Sequence, residues 1–426
     1  MIFIPVILDP FSFEENRFVW EYLKYMYHSF ENHWPIIAQK KYAKAYYGSP
    51  EFESTHYFTD DFMTRHQFKA LDVKEIEAVE KYYIDDEIID NLIVDKGSRL
   101  EAKIFLLKYR YEPLEKALEK CIEQIRKNHK EIGGFLGWAA HFESVKAVAR
   151  KYNIKFITQE YAIRHVNYRS CCYLCDGDIY DSKGFMKLFK EFEDEVQELN
   201  YCILDRKELL SLFMTERTAE VYKKYKLYDK SLYKIGFAGV HPFITTFLAK
   251  SMYTDLELAL DLRKLYSEED ILFRMHPGDE PFQANYGFKN IDKSLTAAEF
   301  ICKCEKIAAI GSNIIPESFL WGRPVYTNDI SPFYLLCNHE MDGNNWYFPS
   351  DVELNYIFLV YFVPFELICS EEYLTWRMSK PRAIEIYIKH LNYYFEQDCI
   401  PQEVLLCRKV LRFKQIMIAR GLAEYV

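Results

Sequence analysis

The sequence has no apolar run long enough to cross a bilayer. Its most apolar stretch near the C-terminus, Ile357-Phe-Leu-Val-Tyr-Phe-Val363, stops at Pro364, whereas a spanning helix needs about twenty such residues. The N-terminus has neither a basic lead-in nor a small-residue cleavage site. Met1-Ile-Phe-Ile-Pro-Val-Ile-Leu-Asp9 therefore reads as a first core strand and not as a signal peptide. These two absences predict a cytoplasmic protein. A basic excess is also missing: 54 Lys and Arg stand against 64 Asp and Glu, net -10, which argues against a general nucleic-acid binder. Repeats and low-complexity segments are absent. Metal-ligand spacing is poor as well. Cys172-Tyr-Leu-Cys175 has only Cys171 beside it, and Cys302 and Cys304 are distant and one residue apart. A structural zinc would need two further ligands at matching spacing. The eleven cysteines are expected to be reduced, mostly buried thiols, and no metal site is expected.

What is present is enough chain for two domains: 426 residues, half of them hydrophobic. In the first half, Phe13 to Phe30 has helical periodicity, and Glu51 to Lys69 reads as loop. Val73 to Lys81 and Arg99 to Lys127 read as helices. In the second of these Leu106, Leu107, Leu114, Leu118 and Ile122 recur at helical intervals. A β-α-β pattern follows: a strand at Glu131–Leu136, a turn at Gly137–His141, a helix at Glu143–Tyr152 and a strand at Ile154–Thr158. Parallel strands joined by a helix imply a Rossmann-like sheet. Ligands bind such sheets beyond the carboxyl ends of the strands. On that logic Trp138 and His141 sit at one strand end and Glu160 at the next. Tyr161 to Lys183 reads as a long polar connection with Arg164, Tyr168 and Asp176-Gly-Asp178. Phe185–Tyr201 and Arg206–Tyr225 read as helices, and a charged hinge lies near Asp229.

The second half begins with a strand at Tyr233–Gly239, ending in Val240-His241-Pro242 and leading into a helix that reaches about Tyr266. The strand Asp270–Met275 ends in His276-Pro277-Gly278. A later strand, Lys306–Ile310, ends in Gly311-Ser312-Asn313. A short helix there carries Glu317, and Gly322-Arg-Pro-Val-Tyr326 gives the next strand. Amides at a helix start attract phosphate oxygens, and Ser312 or Asn313 is placed to cap that helix.

The order His-Pro, Gly-Ser-Asn, Glu317 and Gly-Arg-Pro-Val resembles the donor-binding half of a GT-B glycosyltransferase. It is most similar to bacterial enzymes that use CMP-activated sugars, the Kdo and sialic acid transferases of surface polysaccharides. The resemblance implies an α/β, GT-B chain: two Rossmann-like domains facing a central cleft. Residues 1–228 would form the acceptor-side domain and 229–390 the nucleotide-sugar-binding domain. Helices in 391–426 would return to the first domain. It further implies a nucleotide-sugar donor, preferably a CMP-sugar such as CMP-Kdo, a glycan or lipid-linked glycan acceptor, and no cofactor. The basic tail, with Arg408, Lys409, Arg412 and Lys414, offers a peripheral contact with the inner membrane. The alternatives are a UDP- or GDP-sugar enzyme of the same class, or a non-catalytic GT-B-like binding protein. Aromatic residues make up 17% of the chain. They suit sugar stacking, but AT-biased codon use explains them as well.

Each candidate has a plainer reading beside it. His276 is a donor to the phosphate, or a strand-end histidine bonded to a carbonyl. Glu317 holds the ribose hydroxyls, or only complements the helix dipole. Arg274 neutralises charge beside Gly311, Ser312 and Asn313, or is a solvated strand-end arginine. Glu160 is the carboxylate for chemistry, or pairs with Arg164 four residues on. Trp138, His141, Arg164 and His241 are candidates for the acceptor or sugar. Asp176-Gly-Asp178 matches the metal-binding D-x-D string of the GT-A fold, but it is also ordinary turn chemistry, and no nucleotide site precedes it. One departure stands out. Retaining Kdo transferases use a carboxylate near the start of the second domain, and no acid follows the strand here at His241-Pro-Phe-Ile-Thr-Thr246.

Overall fold

A computed structural model describes residues 1–11, 19–42, 71–129, 131–163, 167–177, 179, 182–199, 203–225, 231–240, 253–276, 286–328, 331–341 and 345–396. The expected loop at Glu51–Lys69, the hinge at Asp229, Arg164, Asp178, His241, Pro277 and the basic tail lie outside the described residues.

The α/β class and the two Rossmann-like parallel sheets are as expected. The first sheet contains β1 (Ile2–Ile7), β2 (Ile36–Gln39), β3 (Lys81–Ile84), β4 (Ile132–Trp138), β5 (Lys155–Ile163), β6 (Cys171–Asp176) and β11 (Phe362–Pro364), in the order β11-β6-β5-β4-β1-β2-β3. Strands β1 to β5 pair in parallel, and β11 runs antiparallel to β6. The second sheet contains β7 (Ile235–Ala238), β8 (Ile271–Arg274), β9 (Ile307–Ala309) and β10 (Val325–Tyr326), in the order β10-β9-β7-β8, all parallel. Packing divides the chain into two compact units. One holds Met1–Glu160, Leu174–Ile179 and Phe365–Lys380. The other holds Tyr161–Tyr173, Tyr180–Pro364 and Pro381–Val426. Helices Ser182–Leu199, Arg206–Phe213 and Glu216–Tyr225 thus group with the second unit.

The first unit's core forms where hydrophobic stripes of helices meet one sheet face. Helix Glu112–Asn128 buries Leu114, Leu118, Cys121, Ile122 and Ile125, a spacing that places them on one side. They pack with Ile4, Ile37 and Phe135 of the sheet. Where the sequence pattern suggested one long helix, two form: Arg99–Lys108 and Glu112–Asn128. Pro113 is the physical reason. It fits the first turn of a helix and cannot continue the one before it.

Two other differences concern the first sheet. The connection at Tyr161–Lys183 is not loop throughout. It contains the end of β5 and all of β6, whose Cys171, Cys172, Tyr173 and Leu174 are buried. The apolar run at Ile357–Val363 becomes a π-type helical turn, Ile357–Tyr361, followed by β11. Among the described residues no helix is long and apolar enough to cross a membrane.

Candidate functional site: the carboxyl ends of the strands

In the first unit a polar cluster gathers at the carboxyl edge of the sheet. Asp9 lies just past β1. Its amide donates to Gln39 Oε1 at 2.7 Å, and its carboxylate takes Lys103 Nζ at 2.7 Å. Lys41 donates to the Phe11 carbonyl at 2.6 Å and to that of Asp9. Glu160 is on β5, half-buried, with Gln159 buried beside it. Alternation along a strand sends these two side chains to opposite faces. Gln159 Oε1 accepts from Tyr25 Oη at 3.0 Å, and its amide donates to the Ile368 carbonyl.

The helix Val19–Asn32 supplies the rest. Glu21, Lys24, Tyr25 and His28 recur at 3- and 4-residue steps, so they share one face; Lys24 and Tyr25 on it are buried, and Glu21 and His28 are half-buried. Lys24 is 1% exposed. Its Nζ lies 4.4 Å from the Trp138 ring centroid and 5.0 Å from that of Phe365, so ring quadrupoles solvate a cation that has left water. Burial pushes His28 down to about 3, and Lys24 adds to the shift. His28 is therefore neutral at pH 7. Burial holds the Glu21 carboxyl well above the usual carboxylate range. The Glu160 charge raises it further, while Lys103 opposes the rise.

The expected site residues of this half fare differently. Trp138 stands at the end of β4, as its position predicted, but lies under Lys24. His141 is 3% exposed, and its Nε2 is 3.1 Å from the Ile157 carbonyl. A Cβ on Gly137 would sit 2.6 Å from its ring, so the glycine is what lets the imidazole pack there. The sequence has no motif for Glu21, Lys24 or Lys103. The available signal was a polar spacing inside an otherwise aromatic helix. Asp176 has Lys155 Nζ at 3.5 Å.

In the second unit the strand order sets the geometry. From β7 the chain steps to β8 on one side, then returns to β9 on the other. The switch point is therefore between β7 and β9, where doubly wound sheets hold their ligands. Gly311-Ser312-Asn313 follows β9 and stands at that point. Gly311 has φ 54°, the left-handed region that glycine adopts without strain. Ser312 Oγ accepts from the Ile314 amide at 3.3 Å. Asn313 occupies the cap position without a capping bond. Its side chain instead donates to the Tyr161 carbonyl at 2.8 Å and accepts from Tyr173 Oη at 3.3 Å.

His276 is half-buried past the end of β8. It is not a direct neighbour of the Gly311 loop, because β7 lies between. Two strand spacings, about 9–10 Å, separate the two loops, a span that suits different parts of one nucleotide. Glu317, 9% exposed, faces Tyr168. Trp321 Nε1 donates to Tyr168 Oη at 2.7 Å. Burial raises the Tyr168 phenol well above its ordinary range, and the Glu317 carboxylate adds to this. Arg274 is held by Asp292 and donates to the Ser294 carbonyl at 3.0 Å.

An acid reaches β7 that the local sequence does not show. Asp255 opens the helix Asp255–Leu265, and its Oδ2 accepts from the Val240 amide at 2.7 Å. Burial raises its carboxyl to about 7.

No protein-family model matches the chain, and no curated protein matches it in sequence. Among solved structures the chain is similar to two Thermosulfurimonas dismutans KpsC proteins. The beta Kdo 2,7 transferase is 15% identical, with a TM-score of 0.37, over 57% of this chain and 81% of that one. The beta Kdo 2,4 transferase is 11% identical, with a TM-score of 0.34, over 55% and 86%. Anabaena Alr3699/HepE, solved with UDP and glucose, is 9% identical, with a TM-score of 0.27, over 93% and 100%.

Proposed function

We propose that the protein is a GT-B glycosyltransferase that moves a sugar from a nucleotide donor to a growing surface glycan. The preferred donor is CMP-Kdo or a related CMP-sugar. The observation that carries this reading is the position of Gly311-Ser312-Asn313 at the switch point of the second sheet, with His276 two strands away.

Each residue then has a distinct task. The amides after Gly311, with Ser312, receive the donor phosphate, and His276 donates to it as charge builds on the leaving group. Glu317 takes the ribose hydroxyls. Glu160, on the first sheet, removes the proton from the acceptor hydroxyl. The acceptor oxygen bonds to the anomeric carbon while the bond from that carbon to the phosphate oxygen breaks. The electron pair leaves with the nucleotide monophosphate, and the proton rests on Glu160.

Arg274 is a weaker donor contact than the sequence suggested, since Asp292 already holds its guanidinium. The test is release of free nucleotide from CMP-Kdo, UDP-sugars and GDP-sugars, with and without Kdo-terminated oligosaccharide. Acceptor-dependent CMP release supports the reading. Acceptor-dependent turnover of only a UDP- or GDP-sugar favours the alternative donor. Nucleotide binding with no turnover marks a binding protein.

A further inference from the structure

We infer that Asn313 and Tyr173 are positioning residues for the Gly311-Ser312-Asn313 loop: the Asn313 side chain ties the end of the loop to Tyr161 and Tyr173, and so holds Ser312 between two anchored residues. The inference deepens the proposed transferase reading and rests on it for its catalytic part. All of these residues group with the second unit.

The first observation is where the Asn313 side chain goes. Asn313 precedes the helix Ile314–Leu320, but its backbone is already helical, with φ -63° and ψ -10°, and its side chain makes no capping bond. A capping asparagine has extended backbone and turns its side-chain oxygen onto the helix amides. This one reaches away from the helix instead. Its Nδ2 donates to the Tyr161 carbonyl at 2.8 Å, and its Oδ1 accepts from Tyr173 Oη at 3.3 Å. Tyr161 is on β5 and Tyr173 on β6, and these strands are neighbours. Adjacent strands lie about 4.8 Å apart, a gap that the donor and acceptor of one planar amide can bridge. The network also fixes which way the amide points, since a flipped amide would set its oxygen against the Tyr161 carbonyl.

The second observation is the rigidity of the Tyr173 anchor. Tyr173 is 5% exposed. Phe362, its cross-strand partner on β11, meets its ring edge-on at 5.1 Å, and Tyr361 does so at 5.8 Å. Edge-to-face packing on this scale holds an aromatic ring in one orientation, and the hydroxyl is carried with it.

The loop is therefore held at both ends. Gly311 leaves β9 in the left-handed region, with φ 54°, so the strand sets the near end. Asn313 sets the far end. Between them Ser312 Oγ takes the Ile314 amide at 3.3 Å. Without the far anchor Ser312 loses its fixed place, and a small misplacement of a group that holds the reacting phosphate is costly in rate.

The first experiment measures amide hydrogen exchange of a peptide spanning residues 309–315 in wild type, Asn313→Ala, Asn313→Leu and Tyr173→Phe. The helix Glu112–Asn128 serves as the reference. Asn313→Leu keeps the volume and removes both hydrogen bonds. We expect the loop to exchange about tenfold faster in both Asn313 variants and about threefold faster in Tyr173→Phe, whose bond is the longer, with the reference unchanged. Loop exchange at the wild-type rate in the Asn313 variants overturns the inference, whatever the protein's activity. An equal acceleration in the reference helix overturns it too, because the two residues then only support the fold.

The second experiment is kcat/KM for nucleotide release from CMP-Kdo with acceptor, in Asn313→Ala, Tyr173→Phe and the double variant. We expect losses of about tenfold and about threefold for the single variants, and a double variant no worse than Asn313→Ala, since both act through one bond. Effects that multiply, or Tyr173→Phe at the wild-type kcat/KM, overturn the catalytic part and return Asn313 to direct contact with the donor. Faster loop exchange in a protein that turns over no donor would leave the tether standing and remove the transferase reading instead.

Discussion

Replacing Arg274 by Met should destabilise the protein much more than it weakens nucleotide binding. Asp292 is fully buried and holds two cations: Arg274, 15% exposed, and Lys303 at 3.3 Å. Ser294 completes the cluster, donating to Asp292 Oδ1 at 2.5 Å and accepting from Arg274 at 3.0 Å. Removing one partner of a buried pair costs about 3–5 kcal/mol, because an uncompensated charge remains in the interior. Lys303 stays behind as a second cation, so the lower end applies, about 3 kcal/mol. For a unit of 150–250 residues this lowers the melting temperature by about 6–12 °C. The assay is urea unfolding of wild type, Arg274→Met and Lys303→Met, together with the affinity of each for CMP. A loss under about 1 kcal/mol combined with a tenfold weaker CMP affinity would refute the reasoning. It would return Arg274 to the donor site.

His276→Ala should lower kcat/KM ten- to a hundredfold and leave the melting temperature nearly unchanged, since a charge-assisted hydrogen bond is worth roughly 1.5–3 kcal/mol. A variant that mainly unfolds and keeps its specific activity would make His276 structural. Asp255, raised to about 7 by burial, ionises near 3.9 in the unfolded chain. Stability should therefore fall as pH climbs from about 4 to about 7, by up to ~4 kcal/mol. Asp255→Asn should abolish that slope in melting curves. Activity should survive EDTA, because amides and side chains take the leaving charge. Loss on chelation, with rescue by Mn²⁺ and abolition in Asp178→Asn, would favour the GT-A reading.

The sheets were legible where the hydrophobic pattern was local. The runs Glu131–Leu136 and Ile154–Thr158, joined by a helix with its own period, fall on β4 and β5, although β5 continues to Ile163 where the sequence read as loop. The strand Cys171–Asp176 was hidden because its polar flanks read as loop. β11 was hidden because its partner lies about 190 residues away, at Cys171–Tyr173, and register across such a separation leaves no local signal. The loop at Gly311 was visible as a strand end followed by a helix start. Switch-point geometry was expected of it together with the His-Pro loop; that β7 lies between the two was not legible, because it depends on β9 pairing with β7 and not with β8. The side chains that tertiary contact engages were equally opaque. Asn313 looks like a cap but holds Tyr161, and His141 looks like a crevice residue but fills the space above Gly137. Asp255 accepts from the Val240 amide from fifteen residues on, a contact that the residues following β7 do not announce.

The central claim is that a nucleotide sits at the β7–β9 switch point, and a thermal-shift titration tests it most directly. Wild type, Gly311→Val and Asp176→Asn would be titrated with CMP, UDP and GDP. A β-branched residue is strained at φ 54°, so Gly311→Val should distort the phosphate loop. The account predicts that CMP at about a hundred times its Kd stabilises wild type and Asp176→Asn by about 2.7 kcal/mol, and that Gly311→Val loses most of this. No stabilisation of wild type by any of the three nucleotides, or an equal effect in Gly311→Val, would contradict it.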